Sequence, residues 1–160
     1  MLFRSEQQAR SAAGELREQL KQHEDYDALI ARIRGIVGDN LPPQAVVLVT
    51  SKGDDQLVSL GRQRGWHFPQ DKGGVFAGRH PADSAEAIAH LEALRNQGAQ
   101  HLLFPSTSFW WLDCYPQFKT HLETRHRLIV NRPDTCLIYA LLEPAPKEPN
   151  HRAREVSWPP

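Results

Sequence analysis

Three polar clusters hold residue types that could do chemistry. The first is "SKGDD", Ser51 to Asp55, in which a hydroxyl, a cation and two carboxylates surround a glycine. Asp54 or Asp55 suits a helix N-cap, and either could also accept hydrogen bonds from a sugar or ribose. Lys52 offers a point charge to a phosphate or carboxylate. Ser51 and Lys52 are neighbours with diverging side chains, which argues against a serine–lysine nucleophile pair. The glycine spacing of a dinucleotide or phosphate loop is absent. The second cluster, "WHFPQDKGGVFAGRHP" (66–81), has no helix or strand period. Ordering so long a loop costs entropy, and such loops often carry function. His67 and His80 could act as general bases or sit neutral in hydrogen bonds. Gln70 supplies a donor and an acceptor, and Arg79 suits an anion. The spacing His-x12-His with no third ligand nearby matches no zinc signature, so neither a metal nor a cofactor is expected. The third cluster is "PSTSFWWLDCYP" (105–116), with hydroxyls at Ser106, Thr107 and Ser108, paired indoles, and Asp113. A hydrolytic triad would have to draw one of these serines to His67 or His80 and Asp54, and no G-x-S-x-G elbow exposes a serine here. Stacking of an indole on the C–H face of a sugar ring needs no such geometry. Trp111 is expected to pack in the core and Trp110 to form a half-exposed platform.

The elements that must position these clusters show in the hydrophobic pattern. "AVVLVTS" (45–51) is a continuous β-branched run of the kind buried on both faces of a sheet. "HLLF" (101–104) is a second such run, and "GWHF" suits a short strand. "RLIVN" and "CLIYALL" make two strands joined by the turn "RPDT". In "DSAEAIAHLEALRNQG", Asp83 and Glu86 form a capping pair, and Gly98 closes the helix. Helix 84–97 should bury Ile88, Leu91 and Leu94. A further helix starts at Pro116 and places Tyr115, Phe118 and Leu122 on one face. Strands at about 46–50, 101–104, 127–131 and 136–142 should share one sheet. Their alternation with helices predicts an α/β, Rossmann-like three-layer sandwich, mainly parallel, with the final hairpin adding one antiparallel edge strand. Ligands of such sheets bind beyond the strand carboxyl ends, which is where "TSKGDD" and "PSTSFWWLD" lie. Asp54, His67, His80, Ser106 and Trp110 should therefore line one concave surface.

Around this domain (44–143) lie an N-terminal helical arm (1–38) and a Pro-rich extended tail (144–160). The arm carries a seam of Leu2, Ala9, Ala13, Leu16 and Leu20, which Glu6, His23 and Asp27 interrupt, leaving less than a coiled coil needs. A second apolar run follows through Tyr26, Leu29, Ile30, Ile33 and Val37, and Gly38 with Pro42-Pro43 ends it. The arm either packs on the domain or serves as a dimer arm or a link to a larger protein. Nineteen basic residues balance nineteen acidic ones, so no global field favours nucleic acid or an anionic membrane. "FKTHLETRHR", with Lys119, His121, Arg125, His126 and Arg127, reads as a solvated basic helix face. No apolar run is long enough to span a bilayer, and "MLFRSEQQAR" lacks a secretion signal. Cys114 and Cys136 fit no metal or redox spacing and should be free thiols in a cytoplasmic protein.

The strings "SKGDD", "WHFPQ", "HPADSAEAIAHLEALR" and "FWWLDCYPQFKTHLE" resemble an uncharacterised bacterial domain. That domain is attached to, or encoded near, glycosyltransferases, methyltransferases and sulfotransferases of surface-glycan assembly. The likeness spans about residues 42–143. It implies a setting in polysaccharide work and a glycan-biosynthesis enzyme as partner, and assigns no reaction to any residue. No enzyme domain accompanies it in these 160 residues.

Three functions follow as expectations. One is a non-catalytic accessory module binding a sugar, a sugar-nucleotide or a partner enzyme through Lys52, Asp54, Asp55, His67, Gln70, His80, Ser106, Thr107, Trp110 and Asp113. Another is a small hydrolase or transferase with His67 or His80 as base beside Asp54 or Asp55. The third is a structural adaptor that dimerises or docks through its N-terminal helices.

Overall fold

The computed structural model describes residues 2–141, so the tail expected at 144–160 and the end of the domain at 143 lie outside the described residues. The chain is a mixed α/β structure built on one five-stranded sheet. Its strands are β1 (Val46–Val49), β2 (Arg64–His67), β3 (His101–Pro105), β4 (Arg127–Arg132) and β5 (Cys136–Ala140), in the order β2-β1-β3-β5-β4. β1 pairs in parallel with β2 and β3, and β5 is antiparallel to both β3 and β4. The four stretches expected to share a sheet do so. The antiparallel strand, however, lies inside the sheet, and β4 forms the edge. Hydrophobicity explains the exchange. Cys136, Ile138 and Tyr139 of β5 are buried, whereas Arg127, Asn131 and Arg132 leave β4 mostly exposed. A strand carrying charge at both ends is suited to an edge, and the apolar one to the interior.

The alternation of strand side chains divides the core in two. Val47, Val49, Leu103 and Ile138 face the second half of α1 (Leu2–Asn40), whose Leu29, Ile30, Ile33 and Val37 are buried against them. Leu48, Leu102, Phe104 and Tyr139 face α3 (Ser84–Asn96), α4 (Trp110–Cys114) and α5 (Pro116–Arg125). A single turn, α2 (Asp55–Val58), joins β1 to β2. α1 is one continuous helix of 39 residues that runs through Gly38 and stops at Asn40. A glycine costs only about 1 kcal/mol in a helix, and the buried Val37 and Leu41 hold this turn. Pro42 and Pro43, which lack amide hydrogens, allow it no further. Upstream of Tyr26 the described side chains of α1 are exposed, including Phe3, Leu16 and Leu20. No helix of the described residues is long and apolar enough to cross a membrane.

α3 begins where its capping pair predicts, with the Asp83 carboxylate accepting the Glu86 N–H at 2.8 Å. Its buried stripe is Ala87, Leu91 and Leu94, and Ile88 is only half-buried. Residue 88 lies about 100° around the helix from residue 87, so it meets the margin of the core and not its centre. Tyr115, Phe118 and Leu122 are all buried, as their shared face predicts. Both cysteines are free, Cys114 exposed and Cys136 buried. Burial pushes the Cys136 thiol up to about 11. Thiol titration should therefore detect Cys114 in the native protein and Cys136 only after denaturation. Fast reaction of both under native conditions would contradict this packing.

Candidate functional site

Beyond the carboxyl end of β1 the chain turns sharply. Lys52 and Gly53 both adopt positive φ, at 52° and 84°, and Phe76 packs close against the face where Gly53 has no side chain. A β-carbon on Gly53 would lie 2.9 Å from the Phe76 ring, so the close approach requires glycine. Asp54 then caps α2, accepting the Gln56 N–H at 2.9 Å. The Tyr26 hydroxyl donates to the other Asp54 oxygen and ties α1 to this loop. Burial, followed by the neighbouring Asp54 carboxylate, raises the Tyr26 pKa, which keeps the phenol protonated as a donor.

The loops after β1 and β3 are neighbours, as their positions in the sheet require. The Ser108 hydroxyl donates to the Thr50 carbonyl at 2.9 Å, and Lys52 Nζ donates to the Thr107 carbonyl at 3.3 Å. The same ammonium lies 5.5 Å from the centre of the Trp110 ring, within cation–π range. His80, from the long loop after β2, meets Trp110 edge-on with ring centres 4.9 Å apart. The two indoles divide as expected in burial: Trp111 is 1% exposed, and Trp110 is half-buried. A surface patch thus brings together Lys52 and His80 from two loops and Trp110 from the start of α4.

A second group lies beside it. Ser51 Oγ and His67 Nδ1 are 2.6 Å apart, and His67 Nε2 is 3.0 Å from Asp55 Oδ1. With the proton on Nε2 donated to Asp55, the serine hydroxyl donates to Nδ1 and Ser51 Oγ accepts the Gly53 N–H at 3.3 Å. Ser51 had no place among the expected site residues. The relevant signal was the parallel pairing of β1 with β2, in which Val49 faces His67. Ser51 is 2% exposed, whereas the Asp55 side chain is 93% exposed. The chain of bonds therefore runs from the surface inward and locks α2 to the ends of β1 and β2.

The remaining candidates lie elsewhere. Ser106 and Thr107 form part of a short 3-10 turn and line a cavity of about 290 Å³ with Tyr26 and Arg32 of α1. Gln70 lines a different cavity of about 370 Å³, between the 69–81 loop and α3, with Asp71, Arg79, Glu86 and His90. Arg79, expected to suit an anion, pairs with Glu86 at 2.8 Å. Asp113 is exposed on α4. The candidates thus separate into neighbouring groups, and the two cavities take only Ser106 and Thr107 in one case and Gln70 in the other.

The "FKTHLETRHR" stretch is not simply a solvated basic face. His126 is buried and His121 partly so, and both turn towards Glu92 of α3. Burial alone would raise the Glu92 pKa, but hydrogen bonds from His121, Arg95 and His126 together bring it down to about 2.

His90, in the wall of the larger cavity, accepts the Gln70 N–H at Nε2 over 2.9 Å. Burial holds its imidazole below the ordinary value of 6.5, against the opposite pull of Glu86 and Asp71. A depressed histidine contributes stability that is complete above its unfolded value and is lost as pH falls through the folded one. Urea stability should therefore fall on going from about pH 7.5 to about pH 5.5. His90→Gln, which keeps an acceptor but does not titrate, should flatten that dependence. An unchanged slope would remove His90 from the account.

Comparison of the chain with protein-family models, with curated proteins and with solved structures returns no match.

Proposed function

We propose that this chain is a non-catalytic, ligand-binding accessory module with a Rossmann-like three-layer organisation. It binds a sugar or sugar-nucleotide bearing an anionic group at the carboxyl ends of β1 and β3. One observation carries the reading: a half-buried indole, Trp110, bracketed by the Lys52 ammonium at 5.5 Å and the His80 ring at 4.9 Å. An indole face suits the C–H face of a pyranose, and Lys52, on its long flexible stem, can turn to a carboxylate or phosphate on the ligand. Thr107, whose carbonyl accepts from Lys52, and Ser106 line the adjoining cavity, where their hydroxyls can meet a ligand that extends beyond the indole. The resemblance of residues 42–143 supports a setting in surface-glycan biosynthesis, beside a partner enzyme. Two free thiols suit a cytoplasmic setting.

Calorimetric titration with nucleoside-diphosphate sugars and with uronic acids tests the proposal. Trp110→Ala should weaken binding by about 0.5–1.5 kcal/mol, or about 2- to 13-fold. Binding that is indifferent to both Trp110→Ala and Lys52→Ala would mean the patch is not the site.

The Ser51–His67–Asp55 chain favours a second reading, a hydrolase with His67 as base. The burial of Ser51 weighs against it, since a nucleophile must reach its substrate. A fluorophosphonate probe should leave the protein unlabelled, whereas labelling abolished by Ser51→Ala would favour the hydrolase. The exposed Phe3, Leu16 and Leu20 support a role for the first half of α1 in dimerisation or docking, testable by light scattering across a concentration series.

A further inference from the structure

On the face of the sheet covered by α3 and α5, two imidazoles converge on one carboxylate oxygen. His121 Nε2 lies 2.8 Å and His126 Nε2 3.1 Å from Glu92 Oε1. The three ligand-type atoms all fall within 4.8 Å of one another. We propose that Glu92, His121 and His126 form a binding site for a divalent transition metal, with Zn²⁺ the ion of best fit and a solvent molecule in the fourth position.

Two of the three ligand separations need little adjustment. Zinc bonds of about 2.0–2.1 Å at tetrahedral angles place neighbouring ligand atoms roughly 3.3 Å apart. The two histidine–carboxylate distances are a few tenths of an ångström shorter, as hydrogen bonds would be. An ion inserted among them replaces those bonds once each imidazole carries its proton on Nδ1 and presents the Nε2 lone pair. Two histidines and one carboxylate are the donor set of open zinc sites, whereas calcium and magnesium prefer oxygen ligands throughout.

The frame is rigid. Glu92 lies in the third turn of α3 and His121 within α5. His126 follows α5 directly, its N–H bonded to the Leu122 carbonyl at 3.0 Å. Arg95 Nε donates to Glu92 Oε2 at 2.6 Å, which fixes the carboxylate and leaves Oε1 for the ion. That guanidinium also places a positive charge beside the site and lowers its affinity. The side chains of His126, His121 and Glu92 are 3%, 19% and 27% exposed. The site therefore has a dry back and a front open to an entering ion. Occupied, it would join α3 to α5, two of the helices that cover this face of the sheet.

The test uses the whole chain after dialysis against EDTA. Co²⁺, read by the visible absorption of a four-coordinate complex, and Zn²⁺, read by calorimetry, should each bind with a stoichiometry of one. Zn²⁺ should also raise the melting temperature. Because His126 is deeply buried and its loss could unfold the chain, the variants are His121→Ala and Glu92→Gln, each checked for folding by circular dichroism. Both should weaken metal binding at least about tenfold, since even the outer partners of metal ligands are worth 10–100-fold. His23→Ala, on the exposed part of α1, should bind as the parent does. Cobalt absorption that persists unchanged in both variants, or no binding by the parent at micromolar metal, overturns the assignment.

Discussion

Trp111→Ala should destabilise the fold by roughly 3–5 kcal/mol, the usual cost of emptying a buried large aromatic position. The Trp111 ring has neighbours on every side: Phe68 at 5.6 Å, Tyr115 at 5.0 Å, Phe118 at 6.0 Å and Phe104 at 6.4 Å between centres. Those rings are themselves buried and held by their own packing, so they cannot easily close over the space. One term opposes the loss. The indole N–H of Trp111 is buried without a hydrogen-bond partner among the described residues, and removing an unsatisfied donor returns part of the cost. Trp111→Phe should on this argument be far milder than Trp111→Ala. Trp110→Ala should shift the melting temperature by only a few degrees, because the ring is half-buried. Urea denaturation of the three variants decides the matter. If Trp110→Ala proves as severe as Trp111→Ala, both indoles are core, and the platform on which the sugar-binding proposal stands is gone.

Gly65→Ala should be nearly as damaging, through overpacking. A β-carbon at residue 65 would lie 2.0 Å from the carbonyl oxygen of Val58, with the Val58 carbonyl carbon and α-carbon at 2.6 and 2.7 Å. All three are backbone atoms, which no rotamer change can move aside. β2 or α2 would have to shift, at a cost near the upper end of the overpacking range, roughly 3 kcal/mol. Gly61→Ala is the control: it has open space around it and a φ of +83°, so only the conformational penalty of about 1–2 kcal/mol applies. Equal destabilisation by the two substitutions would mean that the contact between α2 and β2 is not as tight as drawn. Since α2 also carries Asp55, Gly65→Ala should loosen the bond to His67, visible as a changed imidazole resonance.

Local features were the legible ones. The β-branched run at 45–51 and the Asp83–Glu86 cap announce their elements through side-chain chemistry within a few residues, and both appear within a residue or two of where they were expected. What depends on distant partners was hidden. Whether β4 or β5 pairs with β3 is decided by competition across the sheet, and the charged ends of "RLIVNR" were the available clue. Ile88 reaches only the margin of the core, because its apolar type says nothing about which part of a helix face meets the centre. The site was legible only in outline. The meeting of the loops after β1 and β3 follows from the fold class. The pairing of Ser51 with His67 depends on the register between β1 and β2. The turning of His121 and His126 towards Glu92 depends on how α5 lies against α3, which no short window of sequence encodes.

The interior position of β5 has a consequence for how the chain emerges from a ribosome. β5 is the last strand among the described residues, yet it alone joins β4 to the rest of the sheet. Until Cys136–Ala140 has been synthesised, β3 presents a bare row of amides and carbonyls along its length, and β4 has no partner at all. The β4–β5 hairpin can close locally, but its docking on β3 must bridge some thirty residues of intervening chain. A nascent chain halted before residue 136 is therefore a strand edge waiting for a partner, and it is at that length that chaperone cover or misassociation with another chain should be most frequent.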